Sequence, residues 1–292
     1  MGIRIIRKTK TMKFAINLPN FGYGFTPQEL IEIAVEAEQA GWEGFFLWDH
    51  MAFMEGRDIS VLDPWICLAG VALKTKNIKM GTLITPIPRR RPWKLARETA
   101  SLDHLSNGRL ILGVGIGAPD YDFTTFGEDF DAKTRAKKLD EGLDILTGLW
   151  AGEEFSYEGD YYHVKNVKFL PTPVNGQIPI WVAGMWPYKK PFIRGSRFNG
   201  VCPISANWPK ELTPNEVRDI KDFIFKNRDN TSMFDIIVWG NSSGNPSEGV
   251  ALITPFEEAG ATWWCENINA RRFSNSKEKM MERIRQGPPV ER

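Results

Sequence analysis

The 292 residues are 42% apolar and 25% charged, and a chain of that length buries roughly three quarters of its unfolded surface without a disulfide or metal staple. Thirty-seven basic against 36 acidic side chains leave a formal charge of +1, which excludes a general nucleic-acid or anionic-membrane binder, and no apolar run nears the ~20 residues of a membrane span. Cys67, Cys202 and Cys265 stand far apart, outside any CxxC spacing, and read as reduced core thiols of a cytoplasmic protein.

Residues 1–12 carry Arg4, Arg7, Lys8 and Lys10 with no acid, before an apolar stretch too short for a secretory signal. Position 6 is Ile where a myristoylation signal wants Ser or Thr, so the segment reads as an N-terminal tail. From there, short apolar runs alternate with helical patterns, as in parallel βα architectures. Strands are predicted to begin near Phe14, Gly44, Ile78, Leu110, Pro179, Gly200, Phe234 and Ala261, mostly at the roughly 30-residue spacing of a βαβ unit. Helices are predicted over 27–40, 92–105 and 134–150, where leucine and alanine recur at three- and four-residue steps. The first is framed by Thr26, Pro27 and Gly41 in cap, first-turn and stop positions.

Eight such units without a composition break predict a closed (β/α)8 barrel, a TIM barrel, in a single domain over 13–292. The long gap between the fourth and fifth strands holds a loop at 118–132, rich in Asp, Phe and Gly, and an insertion at about 151–178. Within the insertion, Phe155 to Val164 reads as a hairpin turning at Glu158-Gly159-Asp160, placed over the barrel rim.

In a barrel the chemistry lies at the carboxyl ends of the strands. The second strand ends in Trp48-Asp49-His50, where a histidine can exchange protons near neutral pH and a carboxylate can orient it. His50 and Asp49 are therefore the candidate catalytic pair, against the plainer reading of a histidine satisfied by a backbone carbonyl. Asp103-His104 falls within a helix and reads as structural. Gly113, Gly115 and Gly117 do not open a first βα unit and are not a dinucleotide fingerprint. Their missing Cβ atoms either admit a flat ring or accommodate barrel curvature. Gly184, a turn, and Lys189-Lys190 suit a phosphate or are a plain turn; Arg89-Arg90-Arg91 is a solvated loop or a clamp on an anionic tail or substrate. The three histidines offer no metal-ligand spacing, so no metal is expected, and the HExxH, Gly-x-Ser-x-Gly and Walker patterns are absent.

Taken in order, these strand ends resemble the luciferase-like flavin monooxygenase family. The resemblance runs through Trp48-Asp49-His50, through Thr85-Pro86-Ile87-Pro88-Arg89-Arg90-Arg91-Pro92, and through Leu102-Asp103-His104-Leu105-Ser106-Asn107-Gly108-Arg109-Leu110. It continues through the glycine strand and Ile178-Pro179-Ile180-Trp181-Val182-Ala183-Gly184, spanning about 13–205. The resemblance implies a bacterial-luciferase-like barrel holding FMN or the 8-hydroxy-5-deazaflavin coenzyme across the strand ends. It implies a non-proline cis peptide at Leu83-Ile84 and makes Leu83, Ile84, Thr85, Gly115, Gly117, Gly184 and Met185 cofactor neighbours, with Lys189 toward the phosphate. The acid/base position of the deazaflavin branch falls on His50.

It further implies a flavin-dependent oxidoreductase or monooxygenase acting on a small molecule, a homodimer, and a flavin reductase or NAD(P)H as source of electrons. Trp48, Phe53, Trp65 and Trp186 would supply apolar walls. Asp49 stands where light-emitting luciferases tend to have histidine, and Ile116 where they have a basic residue, so bioluminescence is not expected. Ala118 replaces the glutamate of the deazaflavin sugar-phosphate dehydrogenases, so that substrate is not expected either. Two other readings stand beside the enzyme: a non-catalytic flavin-binding or partner-stabilising barrel, and a flavin-free barrel acting on a phosphorylated metabolite.

Overall fold

Runs of Val, Ile, Leu and aromatic residues that are covered on both faces build a parallel sheet, and the first intervening helix starts at its predicted cap, Thr26. A computed structural model describes residues 12–52, 58–229 and 232–290. In chain order the elements are β1 Lys13–Leu18, α1 Pro27–Gln39, β2 Gly44–Leu47, α2 Pro64–Lys74, β3 Lys79–Pro86, α3 Pro92–Leu105, β4 Leu110–Gly115, α4 Tyr121–Thr124 and α5 Ala132–Trp150. There follow β5 Glu154–Glu158, β6 His163–Lys168, β7 Ile180–Trp186, α6 Lys189–Gly195, β8 Gly200–Ser205, α7 Pro214–Lys226, β9 Asp235–Gly240, α8 Pro246–Ala259, β10 Trp263–Asn267 and α9 Lys277–Arg285.

Eight strands close into a barrel in the order β1-β10-β9-β8-β7-β4-β3-β2, each pair parallel. The predicted (β/α)8 architecture is the observed one, and each of the eight barrel strands starts within two residues of its predicted position. Thr26 accepts the Glu29 amide while Glu29 returns a bond to the Thr26 amide, a capping box that sets the start of α1. Thr213 and Glu216 repeat the device on α7.

Alternate residues of the strands point into the barrel, and Phe46, Trp181 and Trp263 fill its lower part with ring centroids 5.2 Å apart for Phe46–Trp181 and 5.3 Å for Trp181–Trp263. Full burial of each such side chain contributes about 1.5–3 kcal/mol, so the cylinder is a packed core below its mouth. Leu83 joins this inner cluster and Ile84 packs against it, because the β3–β4 register shifts between Thr82 and Thr85. The three cysteines are buried and unpaired, and burial raises all three thiols above their ordinary range.

The predicted hairpin is present as β5–β6, paired antiparallel with Glu158 opposite His163. Its expected place over the rim is corrected by its contacts, which run to the outer helices. Glu141 of α5 accepts the amides of Asp160, Tyr161 and Tyr162, and Trp93 of α3 lies edge-on to Tyr162. An amphipathic hairpin next to two exposed helix flanks finds its apolar partner there. Of the predicted tail, residues 1–11 lie outside the described residues, whereas Met12 is buried at 2% exposure. No helix among the described residues is long and apolar enough to cross a membrane.

Candidate functional site

At the carboxyl end of β2, Asp49 and His50 go to different partners. The buried Asp49 carboxylate accepts from Thr85 Oγ1 at 2.7 Å, from Trp65 Nε1 at 3.3 Å, and from Arg90 Nη2 at 2.8 and 2.9 Å. Arg89 Nη2 adds bonds to its side chain at 3.2 Å and to its carbonyl at 2.7 Å. The expectation that Asp49 orients His50 gives way to a different pairing: His50 Nδ1 lies 3.3 Å from Asp122 Oδ2. Asp122 stands on the short helix α4, beyond the fourth strand, and its side chain is fully buried.

Asp122 also accepts the amides of Met51 and Ala52, each at 2.8 Å, and an ion pair from Arg89 Nη1. Burial pushes its pKa up, but the bonds from His50 and Ala52 and the Arg89 charge outweigh that and hold it below the ordinary 3.8. A carboxyl whose folded pKa is depressed contributes stability in full above its unfolded pKa and loses it as pH falls through the folded value. Thermal melts of the wild type and Asp122→Asn are therefore expected to differ most above about pH 5 and to converge as pH falls below 3.8. A gap that stays constant with pH would refute this role of the charge.

Around His50 the fold sets aromatic walls. Phe21 lies 5.4 Å edge-on to the imidazole, and Trp48 lies 5.8 Å away. Asn20 fixes the backbone of His50, donating to its carbonyl at 2.9 Å and accepting its amide at 3.3 Å. The arginine run is neither a solvated loop nor a clamp on an outside anion at its first two positions, because Arg89 and Arg90 neutralise Asp49 and Asp122.

The remaining candidates divide. Leu83-Ile84 is a cis peptide, as the resemblance implies. Leu83 is buried in the inner cluster, and the Thr85 hydroxyl lies 2.9 Å from Thr82 Oγ1 besides its bond to Asp49. A Cβ on Gly115 would meet Ile84 Cδ1 at 2.3 Å, so the space opened by that glycine is taken by Ile84, and Ile84 forms the surface there. Gly117 has φ +83°, and its carbonyl accepts from Arg135 at 2.6 Å. Gly184 lets β7 approach α6, since a Cβ would meet Pro191 Cβ at 2.6 Å. Met185 is exposed, and the Lys189 ammonium lies 3.3 Å from the Trp186 ring centroid and 4.7 Å from that of Phe223. Trp65 and Trp186 serve the Asp49 site and the α6 packing, respectively, and Phe53 lies outside the described residues.

Ile84, Ala183 and Trp239 are the half-buried members of the inner cluster, so they form an apolar floor at the mouth. Above and beside it are buried polar groups without partners: both amide atoms of Asn17, Trp48 Nε1 and Trp239 Nε1. An apolar floor with unpartnered polar groups to one side suits a flat ring system beside a small polar group. Asp122, Asn17 and Trp239 were not singled out by sequence reasoning; only the Asp-rich character of 118–132 points to the first. A solvent-open cleft of about 590 Å³ beside the ends of β9 and β10 is lined by Ser242, Arg272 and Arg283, among others. Its two arginines are ion-paired to the fully buried Glu266, at 2.7 and 3.5 Å, which marks that cluster as structural.

Comparison with known proteins adds the following. The family model for luciferase-like monooxygenases matches residues 12–191. An F420-dependent glucose-6-phosphate dehydrogenase of Microbacterium testaceum (strain StLB037) is 30% identical over 240 residues, covering 80% of this chain and 70% of the relative. The protein of the same description from Amycolatopsis mediterranei (strain U-32) is 32% identical over 56% of this chain and 49% of its own, and the chain spans about half the length of most of the curated relatives it matches. Among solved structures, an F420-dependent secondary alcohol dehydrogenase in complex with an F420-acetone adduct superposes with a TM-score of 0.76 at 17% identity, covering 96% of this chain and 99% of that one. The FMN-bound oxygenating constituent of 3,6-diketocamphane monooxygenase from Pseudomonas putida superposes with a TM-score of 0.64 at 19% identity, covering 85% and 73%. At these identities the structural matches speak for the fold.

Proposed function

The chain belongs to the luciferase-like monooxygenase family, and from that premise we propose that it is an oxidoreductase using an 8-hydroxy-5-deazaflavin coenzyme, with FMN the alternative ring, to act on a small organic molecule. The observation that carries the reading is the His50–Asp122 pair at the strand ends of a barrel whose mouth has an apolar floor of Ile84 and Ala183. The F420-dependent curated relatives favour the deazaflavin.

A bound ring of either kind supplies two-electron hydride exchange. The chain's residues do the rest. Ile84 and Ala183 supply the surface on which such a ring lies, with Gly184 at its edge toward α6. His50 takes or returns the proton at the substrate oxygen, and Asp122 holds its Nδ1 side so that Nε2 does this work. Arg89 ties Asp122 to Asp49 and so keeps the histidine's carboxylate in place. Phe21 and Trp48 limit water around the imidazole. Ile66 and Leu73 of α2, seven residues apart and hence on one helix face, are highly exposed, which supports a homodimer. The proposal extends to reduction by NAD(P)H or a reductase when the ring is FMN, and to a cytoplasmic location.

Absorbance titration of the apoprotein with the deazaflavin coenzyme and with FMN tests the reading. A saturable spectral change with the deazaflavin, tighter than with FMN, is expected. No change with either ring would overturn it, and binding of FMN alone would move the reaction toward oxygen chemistry.

A further inference from the structure

The barrel mouth has two unlike halves. On the β3–β4–β7 side the surface is Ile84 and Ala183. On the other side, the contiguous strands β9, β10, β1 and β2 turn a different set inward. Ala15 pairs with Cys265, and Cys265 with Trp239, all on the inner face. Asn17 and Asn267 lie two residues further along their strands and pair with each other, so they share that face one layer nearer the mouth. Trp48 follows two residues after the inward Phe46, and its amide donates to the Leu18 carbonyl at 3.0 Å.

In this half Asn17 is 1% exposed, and neither its amide nitrogen nor its amide oxygen has a hydrogen-bond partner. Trp48 Nε1 and Trp239 Nε1 are buried and also unpartnered. A buried polar group left unbonded destabilises a fold, and such groups persist where a ligand completes them. Here they gather on neighbouring strands and offer donors together with one amide acceptor. At the mouth the inward residues of these strands, Asn17, Asn267, Trp48 and Trp239, are uncharged; the charged residues on the inner face, Lys13 and Asp235, lie at the starts of β1 and β9, at the other end of the barrel. The nearby guanidinium groups are bound inside the protein, Arg89 and Arg90 to Asp49 and Arg272 to Glu266.

We propose that the β9–β10–β1–β2 half is the substrate half of the mouth, and that Asn17 with the indoles of Trp48 and Trp239 selects an uncharged, largely apolar molecule carrying a carbonyl or hydroxyl oxygen. The proposal rests on the reading above that the redox ring lies on the opposite half. The oxygen accepts from the Asn17 amide and an indole N–H, and a hydroxyl in its place donates to Asn17 Oδ1. His50, 5.8 Å from Trp48 between ring centroids, stands at the edge of the same half, within reach of that oxygen's proton. A phosphorylated sugar, the substrate class of the curated relatives, would put a dianion against indoles and an amide with no unpaired guanidinium beside them among the described residues.

The test uses protein loaded with oxidised coenzyme and ¹⁵N-labelled at tryptophan, titrated with cyclohexanone and with glucose 6-phosphate. Cyclohexanone is expected to shift the indole resonances of Trp48 and Trp239, assigned through Trp48→Phe and Trp239→Phe, and glucose 6-phosphate is expected to leave them in place. Asn17→Leu is expected to weaken cyclohexanone binding about tenfold. It is also expected to raise the melting temperature by about 2–5 °C, since it replaces an unpartnered amide with an isosteric apolar group. A merely structural asparagine would instead lower it. Asn17→Ala serves as the second variant, with the same loss of ketone affinity. Unchanged ketone affinity in both variants, or glucose 6-phosphate moving the two indoles, overturns the proposal. Failure to load either coenzyme overturns the reading beneath it and the proposal with it, whereas a loaded protein blind to the ketone overturns the proposal alone.

Discussion

Replacing His50 with alanine is expected to lower turnover by about 10²–10⁴-fold, the usual worth of one positioned acid or base, with coenzyme affinity changed less than about threefold, well under 1 kcal/mol. The imidazole is held on three sides: by Asp122 at Nδ1, by Asn20 at its backbone, and by the Phe21 and Trp48 rings. Removing it leaves Asp122 still bonded to Arg89 and to the amides of Met51 and Ala52, so the surrounding framework has reason to stay put. The loss should then fall on the proton step and not on binding. Steady-state turnover with a binding titration on the same preparation checks this. Undiminished turnover would remove His50 from the chemistry, and a matching loss of coenzyme affinity would recast it as a binding residue.

Arg109→Leu is expected to cost about 3–5 kcal/mol of folding stability, the scale of stripping a buried charged group from its partners. Arg109 is 7% exposed, and its guanidinium donates to the carbonyls of Ser106, Ile78, Ala72 and Thr75 and to the Thr75 hydroxyl, between 2.7 and 3.1 Å. Burial lowers its pKa, and Glu38 opposes that in part. The carbonyls of Ala72 and Thr75 belong to the end of α2, where no intrahelical donor reaches them. Leucine would fill much of the volume and satisfy none of these acceptors. Urea unfolding followed by fluorescence measures the loss, and a change below about 1 kcal/mol would refute the assignment. Because Arg109 sits at the start of β4, at the end of the barrel away from His50, coenzyme binding below the melting temperature should persist.

These two residues show which parts of the molecule were readable before the structure. The stretch from Leu102 to Leu110, one of those that carry the family resemblance, performs a structural task. Asp103 accepts the Val174 amide, Asn107 and Gly108 take positive φ to turn the chain, and Arg109 staples α2 to the barrel. Local rules sufficed for the strand starts and for Thr26-Pro27, because caps and periodicity act over a few residues. His50 was legible by its place at a strand end. Its true carboxylate was not, because Asp122 lies 72 residues further along and is brought in by barrel closure, whereas Asp49 is merely adjacent in the chain. The glycines illustrate the limit differently. Their small size was legible, but what fills the space at Gly115, the side chain of Ile84, depends on the register shift in β3. Asn17 gives no pattern at all, since an asparagine in a strand declares its missing partners only once every neighbour is placed.

The Arg89 bridge has a consequence for how this barrel can diversify. One guanidinium joins the end of β2 to the segment that follows β4, through Asp49 on one side and Asp122 on the other. Exchanging 118–132 for the equivalent loop of a relative, the ordinary way to graft a new specificity onto such a scaffold, would carry off the imidazole's counter-ion along with the wall. Hybrids of that kind should need an acidic residue restored opposite Arg89 before any new substrate can be turned over.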